Sequence, residues 1–190
     1  TIGTLLFGLT VDSKGNVFIA QTDARNDANG RAGTKKHGLK ERENRAFLNQ
    51  ITRIDFDGDK SVKPKFIELE PLPPSQSKPG QALATPFAIQ ISADDTTLFA
   101  TAAGSDKFFT MNAKSGEILD RVSVGAVPRG IAIQEDKKGK PTQAWVLNAV
   151  ANTVSLVDVS NPKSLKVSST ITLNDPTHPT FKRGRIAFNK

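Results

Sequence analysis

The feature that most constrains this chain is a pattern that restarts. An apolar run, a polar turn, a second apolar run and two further strand-and-turn steps recur with a period in the forties. The copy over 130–173 is the sharpest. It holds strands at 130–134, 143–148, 153–158 and 167–173, with turns at 135–141, 151–152 and 160–162. Ile91 and Ile133 are 42 residues apart, and Asn112 and Asp158 are 46 apart. Four short strands per period, with no helical periodicity, is the signature of stacked antiparallel blades. One four-stranded meander cannot bury both of its faces, so each copy must lean on the next around an axis. A β-sandwich is the rival with a similar strand count, but it does not require the restart.

The second copy occupies 87–124, with strands at 87–92, 98–102, 107–112 and 118–124. The first, over 7–70, has strands at 7–12, 17–20, 50–56 and 65–69, and a polar insertion at 22–45 that reads as a long loop with a short helix near Lys40–Arg45. Residues 71–81 carry four prolines, each lacking an amide donor, and therefore form a connector. Residues 176–190 read either as an exit segment or as the start of a further blade. The expected fold is an all-β propeller fragment of about three four-stranded blades, unclosed without more polypeptide.

Composition narrows the chemistry. The 190 residues contain no cysteine, which removes disulfides, thiol catalysis and covalent haem attachment within the sequence given. No apolar run approaches the roughly 18 residues that signal a membrane-spanning helix. The net charge of +7 favours acidic partners such as an acidic protein surface. Much of that charge sits in 31–45, where no aromatic residues interleave, so a nucleic-acid partner is not expected.

Pro128-Arg129-Gly130-Ile131-Ala132-Ile133, then Ala144-Trp145-Val146-Leu147-Asn148, then Asn152-Thr153-Val154-Ser155-Leu156-Val157-Asp158 resembles the YVTN repeats of bacterial and archaeal propellers. Trp145-Val146-Leu147-Asn148 stands where Tyr-Val-Thr-Asn is usual. The likeness covers about 85–175. It implies a binding or scaffold module of an exported, periplasmic or extracellular, bacterial multidomain protein. The segment Arg183-Gly184-Arg185-Ile186-Ala187-Phe188-Asn189 also resembles the opening of cytochrome c-like domains joined to some propellers. That implies an alternative: the propeller portion of a cytochrome c-linked oxidoreductase. Haem c or a quinone-type cofactor would then be carried by further sequence or by a partner chain, since the chain itself holds none. The expected partners are the remaining blades or another chain. The Thr1 start, without Met, and the blade count suggest about half of a larger polypeptide.

Site candidates are few. No triad, Walker loop or His-Glu-x-x-His motif is present. Arg129 opens an inner strand, where a guanidinium can meet an anion bidentately, and Arg183 and Arg185 form a second anion or partner candidate. Asp23, Asp27 and Asn29 offer oxygens for a loop-stabilising cation such as calcium. Asp55-Phe56-Asp57-Gly58-Asp59 does not, because its glycine comes too early for an EF-hand loop. His178 is the candidate haem ligand or acid–base group, although its Thr177 and Pro179 neighbours suit a turn. No catalytic residue is assigned.

Overall fold

A computed structural model describes residues 4–24, 47–56, 63–72, 75 and 77–189. Among the described residues twelve strands make three four-stranded antiparallel sheets, each in simple sequence order. The first sheet holds β1 (Leu5–Val11), β2 (Val17–Ala24), β3 (Phe47–Ile54) and β4 (Lys65–Glu68). The second holds β5 (Pro86–Ile91), β6 (Thr97–Ala102), β7 (Lys107–Asn112) and β8 (Ile118–Ser123). The third holds β9 (Pro128–Glu135), β10 (Pro141–Asn148), β11 (Thr153–Asp158) and β12 (Lys166–Thr172). A helix, α1 (Pro179–Phe188), follows. The fold is therefore an unclosed propeller segment of three blades.

The blades fan about their first strands. β1 packs along β5 and β5 along β9, whereas the outer strands β8 and β12 barely meet. The first two strands come close enough to exclude a side chain. A Cβ added to Gly8 would lie 2.5 Å from the Phe87 carbonyl oxygen and 3.3 Å from the Ile89 nitrogen. Apolar residues of alternating strand positions fill the two wedges between blades. Phe18, Ala20 and Ile51 of blade 1 meet Ile89, Leu98, Phe109 and Met111 of blade 2. Phe99 and Phe108 of blade 2 meet Ala144, Val146 and Val157 of blade 3.

Each first-to-second strand turn uses the same device. The fourth residue after the strand adopts positive φ: Gly15 at 84°, Asp95 at 58° and Gly139 at 75°. An acid inside the turn takes the free amides. Asp12 accepts from the Lys14 amide at 2.9 Å and the Asn16 amide at 2.8 Å. Asp136 accepts from Lys138 at 2.8 Å and Lys140 at 3.0 Å. Desolvation pushes the Asp12 carboxyl up, and the Asn16 and Lys14 donors outweigh it and hold it below the ordinary range. The Lys140 and Lys138 amides lower Asp136 in the same way. Successive turns are also tied. Ser13 donates its amide to Asp95 at 3.0 Å, and Ala93 donates to Glu135 at 3.4 Å.

Two segments differ from the sequence expectation. β2 runs through Thr22, Asp23 and Ala24, which the sequence reads as loop, because Asn49, Leu48 and Phe47 of β3 pair with them. Residues 179–188, read from the sequence as an exit segment or the start of a further blade, form a helix and no blade strand; Pro179 at the first helical turn suits that start. The predicted helix near Lys40–Arg45 lies outside the described residues. Among the described residues no helix is long and apolar enough to cross a membrane.

Gly8→Ala forces a Cβ onto the β5 backbone, which has no rotamer to yield. It is expected to cost about 1–3 kcal/mol, read as a lower thermal midpoint. Gly184→Ala, in α1 with nothing within 4 Å of its added Cβ, is expected to stabilise that helix by about 1 kcal/mol, read by amide exchange in α1.

Candidate binding site at the inner-strand mouth

The three inner strands open alike. Leu6, Pro86 and Pro128 pair with Gln21, Ala102 and Asn148, and a register irregularity follows at once in every blade. The residues after them form the triplets Phe7-Gly8-Leu9, Phe87-Ala88-Ile89 and Arg129-Gly130-Ile131. A bulge breaks strand alternation and re-aims the side chain it carries. Here it gathers three side chains from three blades. Phe7 stacks on Phe87 with ring centroids 4.9 Å apart, and the Arg129 guanidinium lies 5.2 Å over the Phe87 ring. Arg129 is exposed and has no ion pair or hydrogen bond among the described residues. Its planar donors remain available while its charge rests on an aromatic face.

The backbone behind this cluster is strained. Thr85 and Val127, each just before the proline, have φ of 53° and 55°. Both are β-branched, and such a conformation costs on the order of 1–3 kcal/mol. Paired hydrogen bonds enforce it. The Thr85 amide donates to Asn49 Oδ1 at 2.9 Å, and its carbonyl accepts from Ala103 at 2.8 Å. The Val127 amide donates to Asp106 Oδ1 at 2.9 Å, and its carbonyl accepts from Ala149 at 3.1 Å. Thus a side chain of the preceding blade, Asn49 or Asp106, helps hold the residue that precedes Phe87 or Arg129 by two positions.

Helix α1 closes over the same end of the fan. Ile186 packs on a cluster of Ala103, Ala126, Val127 and Val150, which also touches Phe87. Asp175 latches the helix. Its carboxylate takes Arg185 Nη2 at 2.6 Å, Lys182 Nζ at 3.4 Å and the Thr177 amide at 3.1 Å. Hydrogen bonds from Thr177 and Arg185 hold the Asp175 carboxyl far below the usual carboxylate range. His178 caps the helix, its Nδ1 accepting from the Thr180 amide at 3.3 Å.

The sequence candidates therefore separate. Arg129 joins Phe7 and Phe87 at the mouth. Arg185 is engaged by Asp175, Arg183 is exposed on α1, and His178 serves as a helix cap. Asp23 sits in a strand opposite Leu48, and Asp27 and Asn29 lie outside the described residues. Among the described residues no three His, Cys, Asp or Glu side chains gather to hold a metal. Phe7, Phe87 and Asp175 escaped the sequence reading. The signal for the first two was the triplet repeated at each strand opening; Asp175 had none.

No family model and no curated protein sequence matches the chain. Its fold is similar to solved structures. Hydrazine synthase of Kuenenia stuttgartiensis aligns with a TM-score of 0.62 and 14% identity, over 82% of this chain and 46% of that one. The periplasmic gluconolactonase PpgL of Pseudomonas aeruginosa gives 0.59 and 16%, over 94% and 45%. The β-propeller domain of Myceliophteria thermophila Cps50 (Swd1) gives 0.50 and 11%, over 88% and 60%. At these identities the likeness establishes the β-propeller fold. The chain spans somewhat under half the length of the first two.

Asp175→Asn removes the charge that holds Arg185 and Lys182. Amide exchange over 179–188 is expected to rise by roughly tenfold or more while that of β6 and β10 stays unchanged. Because the folded pKa is depressed, the native latch persists above the ordinary carboxylate range. It is lost only as pH falls through the lowered folded value. Exchange in α1 unchanged by the substitution would refute the latch.

Proposed function

We propose that this chain is the recognition module of an exported bacterial β-propeller protein of the YVTN-repeat type, binding an anionic group on a flat frame at the inner-strand mouth. The carrying observation is the Arg129 guanidinium, unpaired among the described residues and seated over Phe87, itself stacked on Phe7. A carboxylate can take the guanidinium edge in a two-bond fork, while a flat body meets the Phe7 ring, which keeps part of its face in solvent. An acidic protein side chain offers the same carboxylate. The net charge of +7 draws such partners in. The likeness to a periplasmic gluconolactonase supports export. A loop-bound cation at Asp23, Asp27 and Asn29 is no part of this reading.

A second reading has its own observation. Helix α1 presents Phe181 and Phe188 at 71% and 90% exposure, seven residues apart and so on one helical face. An aromatic face of that kind suits packing by a further domain. In this reading the chain is the propeller portion of a cytochrome c-linked oxidoreductase, with haem c or a quinone-type cofactor carried on further sequence or a partner. A Soret band in the natively purified protein would favour it over simple recognition.

The recognition reading is tested by NMR titration with benzoate and, as the neutral control, benzyl alcohol. Benzoate is expected to perturb residues 7, 87 and 129. Arg129→Gln is expected to weaken benzoate by about tenfold and to leave benzyl alcohol unchanged. Equal affinity of wild type and variant for benzoate would overturn the assignment of Arg129.

A further inference from the structure

The two seams between blades share one plan, and one of them is left open. At the end of β1 and β5 away from the mouth, each seam has a cleft between the first turn of one blade and the turns of the next. Phe18 lines the cleft between blades 1 and 2, and Phe99, its counterpart in register, lines the cleft between blades 2 and 3. Ala113 and Val159 correspond across the two, since their amides donate to the Thr96 and Thr142 carbonyls. The clefts differ in size, about 540 Å³ in the first seam against about 110 Å³ in the second.

The third strands show why. Opposite Phe99, Thr110 is fully buried and donates to the Pro162 carbonyl at 2.6 Å. Pro162 belongs to the turn 159–165, which joins β11 to β12 and lines the small cleft. Opposite Phe18 stands Arg53 instead. The corresponding turn of blade 2, 113–117, is shorter and meets Arg53 through the Ala113 carbonyl.

The open cleft is furnished with charge. The Arg53 guanidinium lies 5.5 Å over the Phe18 ring. Its Nε donates to Asp55 and its Nη1 to Ala113 at 3.1 Å, while Nη2 has no acceptor among the described residues. Asp55 also takes Lys65 at 2.6 Å, so the trio keeps a positive charge. Lys14 and Lys114, on turns of the two blades, line the same cleft, and neither has an ion pair among the described residues. Three carboxylates line it too, but their oxygens are mostly engaged. Asp12 holds the Lys14 and Asn16 amides and the Asn16 Nδ2. Asp95 holds the Ser13 amide and hydroxyl. Asp94 Oδ1 takes Ser92 and Thr96, which leaves Oδ2 without a donor among the described residues.

We propose that this cleft binds the phosphate of a small, hydroxyl-bearing phosphate monoester. With Nε and Nη1 engaged, Arg53 no longer offers the two-bond fork that suits a flat carboxylate. One guanidinium donor and two ammonium point charges on separate elements suit an anion whose acceptor oxygens point several ways. Phe18 supports the Arg53 charge without neutralising it. Asp94 Oδ2 accepts a hydroxyl of the ester's body. The second seam is the same plan with the site removed, Thr110 standing for Arg53 and Pro162 filling the space. The cleft lies at the far end of the inner strands from Arg129, so either site can fail alone.

NMR titration of the full chain with glycerol 3-phosphate, inorganic phosphate and, as the neutral control, glycerol tests this. Both anions are expected to shift amides 14, 53, 95 and 114 saturably, glycerol 3-phosphate binding the tighter, and glycerol to shift none of them. Lys14→Gln and Lys114→Gln, both at exposed turn positions, are expected to weaken glycerol 3-phosphate by about fivefold each, and Arg53→Gln by about tenfold or more. The lysine variants keep the test sound if Arg53→Gln loosens its packing on Phe18. Lys163→Gln removes the same charge beside the closed seam and is expected to leave affinity unchanged, as is Arg129→Gln. Absence of a saturable shift with either anion would overturn the site, as would Lys163→Gln weakening binding as much as Lys14→Gln and Lys114→Gln do. Glycerol 3-phosphate binding no tighter than inorganic phosphate would overturn the monoester assignment.

Discussion

A four-stranded blade has two faces and no interior, and every other feature of this protein answers to that fact. The sheets are individually simple, each in sequence order. What holds them together is apolar surface that one blade must lend to the next. The lending is directional. An aromatic residue on the second strand enters a bed of aliphatic side chains on the following blade, as Phe18 does on blade 2 and Phe99 on blade 3. The fan shape follows, because the inner strands approach closely while the outer strands do not. Gly8 shows how closely: no side chain fits between β1 and β5 there.

The mouth of the fan is where this packing becomes chemistry. Two β-branched residues are held at positive φ by side chains of the preceding blade, and the strands they precede are bulged. Strain of this kind persists only where the surroundings over-determine it. Here Asn49 and Asp106 do so, each supplying an acceptor to the strained amide. The result places Phe7, Phe87 and Arg129 side by side from three separate blades. Helix α1 adds its own constraint, since Ile186 touches the cluster that includes Phe87 and a single carboxylate holds the helix in place.

Much of the architecture was legible before the fold was known. Strand alternation, the Asp-bearing turns and the restart after residue 85 translate directly into hydrogen-bonded sheets, because period-2 patterning and turn chemistry are local properties. The limits of β2 were less clear: Thr22, Asp23 and Ala24 look like loop residues, and only pairing with β3 makes them strand. The helix over 179–188 was hidden for a different reason. Its residues carry little apolar periodicity, and it is held by Asp175 and Ile186 rather than by intrinsic preference.

The sequence by itself determined the blade count and the order of strands. Those depend on spacing and on apolar pattern, which are written along the chain. Only the tertiary structure decided that Arg129 lies over Phe87, that Phe7 joins them, and that Arg185 is spent on Asp175 while Arg129 has no ion pair among the described residues. These are contacts between residues tens of positions apart. Their geometry depends on where the strand bulges fall and how closely the inner strands approach, and neither is encoded in any single stretch of residues.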